Sequence, residues 1–397
     1  MRDRVFRMPG HSRRQSDAEP VKPDVMRRTL ARMAEYLDGL PASELAVRRP
    51  FELGLAAMRA CRWDEAIAYF MKAMTVTKGV HLVALLNLTG VCRYTRGRSD
   101  EALRDFEESI RLAAPLEDRR GRTQALNNIG LIYRDNGELD RALGYLEESL
   151  AIARELNDQW AVSIQLGNTA NIWHDKGDLD RALKYHERAL AISQEIRDRW
   201  GEATELGNIG SICRDKGKLD KALKYHERAL AVSREIGYTL GIVTGLASIG
   251  IIHRDKGRLD KALEYEEKAL AMAREAGYSL GVATSLGDIG LALTDKSEHE
   301  EAVPKLAEAL IILLATGVAD GPRQALTGLV RCEDKLGRDR VEGLLKGAGL
   351  DEGTIADMLG RIDQTRMRRP KPTPMADRQD PRPPATKRSR QQRPVAE

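Results

Sequence analysis

Residues Arg214–Leu230 read RDKGKLDKALKYHERAL. Nearly the same words stand forty positions earlier, HDKGDLDRALKYHERAL from His174 to Leu190, and forty later, RDKGRLDKALEYEEKAL from Arg254 to Leu270. A catalytic site needs one constellation of unlike groups, whereas a segment repeated at fixed spacing suits a stack of identical structural units. The repetition therefore leans away from enzyme chemistry.

Alignment on the forty-residue period places Gly90, Gly130, Gly210, Gly250 and Gly290 in one column, with Ala170 once in place of glycine. Twelve residues on stand Ala102, Ala142, Ala182, Ala222, Ala262 and Ala302. Small residues in both columns let two helices approach closely, so the glycine is expected to face the alanine. Between the columns lie Gly97, Gly137, Gly177, Gly217 and Gly257, which read as left-handed residues ending a first helix. Three residues further, Asp100, Asp140, Asp180, Asp220 and Asp260 are expected to cap the second helix. That helix carries Ala222, Leu223, Ala229 and Leu230 on one face, an apolar surface that one hairpin alone cannot bury.

These residues resemble the tetratricopeptide repeat superfamily, whose pattern of small, aromatic and bulky positions falls on Gly130, Tyr133, Ala142, Leu146 and Ser149. Gly90, Ala102, Phe106 and Ser109 match the same pattern, as do Gly54, Ala66, Phe70 and Ala73. The resemblance covers residues 46–320, about seven units. The forty-residue spacing and the Leu-Gly-Asn tripeptides at Leu166–Asn168 and Leu206–Asn208 are similar to Pins-type polarity adaptors and kinesin light chains. The family proline near the end of the second helix is absent, and no G-protein-binding motif follows residue 340. The resemblance implies an all-α, right-handed superhelical solenoid of helix-turn-helix repeats, while leaving the biological role open.

The ends differ from the body. Val25–Leu40 places Met26, Leu30, Met33 and Leu37 at helical spacing, so residues 24–45 read as a capping helix behind a disordered basic segment, 1–23. Residues 321–362 read as a degenerate repeat and a last helix around Thr354–Ile362, needed to cover the apolar Ile311–Leu314. From residue 363 the chain is rich in Pro, Arg and Gln and is expected to be disordered. The net charge of +4 divides into +4 over residues 1–28, +6 over 363–397 and −6 between them, unlike a uniformly basic nucleic-acid binder. No apolar run reaches the roughly 20 residues a bilayer-spanning helix needs, so no membrane insertion is expected. Four scattered cysteines, Cys61, Cys92, Cys213 and Cys332, without any C-x-x-C pairing fit reduced core thiols in a cytoplasmic protein.

No phosphate loop, dinucleotide motif or H-E-x-x-H stands in the chain. No catalytic residue, cofactor or metal site is expected; His186 and His226 share a column with Phe106, Leu146 and Leu306, which makes them packing residues. The polar stripe on the first helices is the candidate site. Two residues before the glycine column stand Asn128, Asn168, Asn208, Ser248 and Asp288, with Asn127 and Asn171 beside them. Four after it stand Arg134, His174, Arg214 and Arg254, each followed by an aspartate. In the family that face lines the concave groove. An asparagine amide donates and accepts at once, so it can hold a peptide main chain whatever its side chains. Arginine adds a two-pronged hold on a carboxylate or phosphate. The Asn column is expected on solvated surface; the Arg and Asp rows either hold a ligand or neutralise each other between repeats. The expected partner is a protein or peptide held in this groove. The alternative is a regulator whose basic tails touch nucleic acid or an anionic surface, though without the interleaved aromatics that stack on bases.

Overall fold

The computed structural model describes residues 45–59, 62–316 and 321–367. The expected capping helix at Val25–Leu40 and the tail from 368 onward lie outside the described residues. Seventeen helices and no strand occur among the described residues. They pair as α1 (Leu45–Arg59) with α2 (Trp63–Met74), α3 (Val80–Thr95) with α4 (Ser99–Ala113), and α5 (Arg119–Asp135) with α6 (Leu139–Glu155). Next come α7 (Gln159–Asp175) with α8 (Leu179–Glu195), α9 (Arg199–Asp215) with α10 (Leu219–Glu235), and α11 (Thr239–Asp255) with α12 (Leu259–Glu275). The series ends with α13 (Ser279–Asp295) and α14 (His299–Thr316), α15 (Gly321–Leu336) and α16 (Arg338–Gly347), and a final α17 (Glu352–Met367). The last helix thus runs past residue 363, and Asp363 accepts two hydrogen bonds from Arg338 at 2.8 and 3.0 Å.

The second helices follow one rule. In α10, Ala222, His226, Ala229, Leu230 and Ser233 are buried, one face at helical period. The hairpins from α3–α4 to α11–α12 turn on the expected left-handed glycine, with φ of 80° at Gly137 and 70° at Gly217, and Ser297 takes its place between α13 and α14 with φ of 67°. The capping aspartates sit elsewhere than expected. Asp140, Asp180, Asp220 and Asp260 already lie in the first turn of their helices, where a carboxylate favours the positive end of the helix dipole. Each pairs with a lysine of the following repeat: Lys176, Lys216, Lys256 and Lys296 respectively. True caps stand on first helices, where Asp118, Asp158 and Asp198 accept from the backbone N–H of Gly121, Ala161 and Gly201 at 2.9, 2.9 and 3.0 Å. Asp178 alone among the second-helix positions does the same, toward Arg181.

The glycine column also serves a different neighbour than expected. A Cβ on Gly90 would sit 2.6 Å from the Phe106 ring, one on Gly210 2.6 Å from the His226 ring, and one on Gly290 2.5 Å from Leu306. Glycine therefore makes room for the bulky residue four positions beyond the alanine, not for the alanine itself. Phe106, Leu146 and Leu306 are wholly buried in this way, and burying each is worth roughly 1.5–3 kcal/mol. At the C-terminal end Leu306 and Leu310 of α14 are covered by Leu329 and Val330 of α15 and by Val341 and Leu345 of α16.

Candidate functional site: the inner face of the first helices

From α3 onward the first helices of successive repeats touch one another, whereas the second helices from α2 to α12 pack chiefly on the first helices beside them. The stack therefore curves with the first helices on its inside, and their accessible side forms the inner surface. Position on a helix decides which residues reach it, since one step turns the side chain by about 100°.

The predicted Asn column is turned partly into the joint between repeats. Asn128 and Asn168 are only 6% and 7% exposed, not solvated as expected. Asn168 donates to the Asn127 Oδ1 across the joint at 2.7 Å, and Asn127 donates to Asn128 at 3.3 Å. A buried amide has to find such partners, so this end of the column serves the stack. Asn208, Ser248 and Asn171 are half-buried, and their side chains make no hydrogen bond among the described residues. Between these groups runs a strip the sequence reading missed: Gln124, Thr204, Ser211, Thr244 and Thr284, all reaching the inner surface. Thr204, Thr244 and Thr284 recur at forty-residue spacing, a signal the columns around the glycine did not include. Their hydroxyls bond back to the carbonyls of Trp200, Leu240 and Leu280, so toward the interior of the curve they present lone pairs and methyl groups.

The charged rows pair across repeats. Arg134 reaches Asp175 at 2.5 Å, His174 reaches Asp215 at 2.7 Å, and Arg214 stands 3.6 Å from Asp255. Arg254 breaks the rhythm and pairs with Asp288 at 3.1 Å, while Asp295 is met by Arg331. Asp288 is 5% exposed, and burial pushes its carboxyl up against the pull of Arg254. Behind it Glu266 is buried beside Ser285; burial and then the nearby Asp288 push it up to about 10, which favours its protonated form.

The two histidines differ. His186 Nδ1 lies 2.5 Å from Glu205 in a buried pair. His226, one repeat on, has no hydrogen-bond partner among the described residues; burial, helped by Arg214, pushes it down to about 4. It borders a cleft of about 300 Å³ between α9, α10 and α11, also bordered by Asn208 and Ser248. Among the described residues no three His, Cys, Asp or Glu side chains come together as metal ligands, and no helix is long and apolar enough to cross a membrane.

Known proteins place this architecture. The family profile described as tetratricopeptide repeat matches residues 46–114, 82–155, 121–195, 163–235, 201–275 and 241–315. No curated protein matches the chain in sequence. Among solved structures, a Rap protein complexed with competence and sporulation factor is similar with a TM-score of 0.59 at 14% identity, covering 86% of this chain and 94% of that one. The apo quorum sensor NprR from B. thuringiensis is similar with a TM-score of 0.55 at 16% identity, covering 84% and 94%. A signal transduction ATPase with numerous domains and a tetratricopeptide repeat sensor, from Pyrococcus horikoshii, gives 0.59 at 16%, covering 87% of this chain and 53% of that one. At such identities the likeness is one of fold.

Proposed function

Because the chain belongs to the tetratricopeptide repeat family, we propose that it is a scaffold without chemistry of its own, whose inner face holds a segment of a partner protein. The observation that carries this reading is the pair Asn171 and Asn208. Both are half-buried on the first helices, and both keep amides that no group among the described residues uses. An unused amide at a solvated surface costs little, and it gains a donor and an acceptor when a peptide main chain lies against it. The similarly folded Rap protein, solved with its factor bound, gives the arrangement a precedent. A cytoplasmic setting fits the buried, unpaired thiols of Cys92, Cys213 and Cys332.

A phage-displayed peptide library selected on the full chain tests the reading. Enriched peptides are expected to lose about 1–3 kcal/mol of binding when Asn171→Ala and Asn208→Ala are combined, at ~0.5–1.5 kcal/mol for each lost hydrogen bond. That corresponds to a loss of roughly five- to 150-fold in affinity. Thermal stability of the variant should stay near wild type, because neither amide holds the stack. Failure to enrich any peptide, or unchanged binding in the double variant, overturns the proposal.

A further inference from the structure

His186 and His226 occupy the same place one period apart, but their partners do not. Glu205, which holds His186, is followed forty residues later by Gly245. The repeat that contains His226 has thus lost the carboxylate its predecessor uses. Space opens in its place: Gly245 borders the cleft of about 300 Å³, as does Gly207, and a Cβ on Gly207 would meet nothing within 4 Å.

His226 stands at this cleft 4% exposed and without a hydrogen-bond partner among the described residues. The Cδ2–Nε2 edge of its ring packs against Gly210, which leaves Nδ1, the atom that meets Glu205 in His186, on the other edge. A ring nitrogen that opens on a cleft without a partner is free to take one from a ligand. The rest of the lining contains no Asp, Glu, Lys or Arg; its other titratable groups are the phenols of Tyr238 and Tyr278. The charged side chain that acts on His226 is Arg214 of α9, while α11 contributes only uncharged residues to the cleft. An unpaired ring nitrogen at the cleft and open space where the preceding repeat has a glutamate coincide.

We infer that the cleft between α9, α10 and α11 is a carboxylate subsite, in which a carboxylate carried by a bound peptide takes toward His226 the place that Glu205 takes toward His186. The peptide part rests on the inner-face reading above; the carboxylate chemistry can be measured without any peptide. A carboxylate arriving beside a neutral imidazole favours the imidazolium, so binding takes up a proton and strengthens as pH falls through the raised His226 midpoint.

The experiment is an NMR titration of the full chain with propionate, a glutamate side chain in isolation, and with propionamide as the uncharged counterpart. Propionate is expected to move the His226 ring and Gly245 amide signals saturably, and to raise the His226 titration midpoint by about one pH unit or more. Propionamide should leave that midpoint in place. Gly245→Glu, which restores the carboxylate in cis, should raise the midpoint without propionate and abolish the response to it. A Cβ at 245 meets Leu230 at 3.3 Å, a contact that small adjustments accommodate. Two further probes separate the sources: acetyl-glutamate amide carries a side-chain carboxylate and acetyl-glycyl-glycine a terminal one, and a response to either supports the subsite. No saturable response to propionate, or an equal one to propionamide, overturns it. If propionate binds while the library yields no peptide, the inner-face reading falls and the subsite stands. If enriched peptides bind Gly245→Glu as they bind wild type and propionate is silent, the subsite falls alone.

Discussion

His226 and Glu266 stand in one column, a single repeat apart, and respond to pH in opposite directions. Burial holds His226 down to about 4, below its unfolded value of 6.5, so as pH falls through that window the unfolded chain takes up a proton that the folded chain does not. Stability is then lost on acidification, by at most about 1.4 kcal/mol per pH unit. Glu266 is raised by burial, so between 4.5 and about 10 the unfolded chain ionises while the folded chain stays protonated, and stability is lost as pH rises. Leu146, Phe106 and Leu306 fill the same column elsewhere, so His226→Phe and Glu266→Leu keep the packing. Urea unfolding at pH 5, 7 and 9 should show His226→Phe gaining most over wild type at pH 5 and Glu266→Leu gaining most at pH 9. Parallel pH profiles for the variants and wild type would contradict the assigned burial.

At the scale of the element, the joint inside each hairpin is made by three columns together: a glycine, the bulky residue it admits, and an alanine that keeps the helices close. Ala222 is wholly buried in α10, and leucine there has nowhere to go. Ala222→Leu is expected to cost roughly 1–3 kcal/mol by overpacking, read as a lower midpoint in chemical denaturation; wild-type stability would mean that the joint is looser than its buried columns indicate. Elements also meet through polar devices that local pattern does not reveal. Asp140, Asp180, Asp220 and Asp260 suit a cap by their place after the turn, yet the helix begins one residue before them and they reach lysines of the next repeat instead. The positive-φ residue before first helices is likewise Gly79, Gly237 and Gly277 in three turns but Glu117, Asn157 and Arg197 in three others, so it left no uniform column to read.

Across the whole molecule, each hairpin is stable only against its neighbours, so damage at one end should spread from that end. Leu329 is wholly buried where α15 covers α14. Leu329→Ala should cost ~2–5 kcal/mol, and hydrogen exchange should quicken in α13 through α17 well before α3 through α6. Uniform loss of protection along the chain would instead mark the solenoid as one cooperative unit.

Period, hairpin turns and buried faces were legible in the sequence because each depends on local rules: a positive φ asks for glycine, and one buried face asks for apolar residues at helical spacing. Repetition then made every weak local signal recur in register. The side of the first helix that faces the inside of the curve was not legible. It depends on the angle at which one hairpin packs on the next, and a rotation of one residue, about 100°, moves a side chain from open surface into the joint. Asn128 and Asn168 went into the joint, while Asn171, Asn208 and the threonine strip stayed accessible. The meeting of His226 with the space beside Gly245 likewise belongs to tertiary structure, because residues 19 apart come together only when α11 packs on α10.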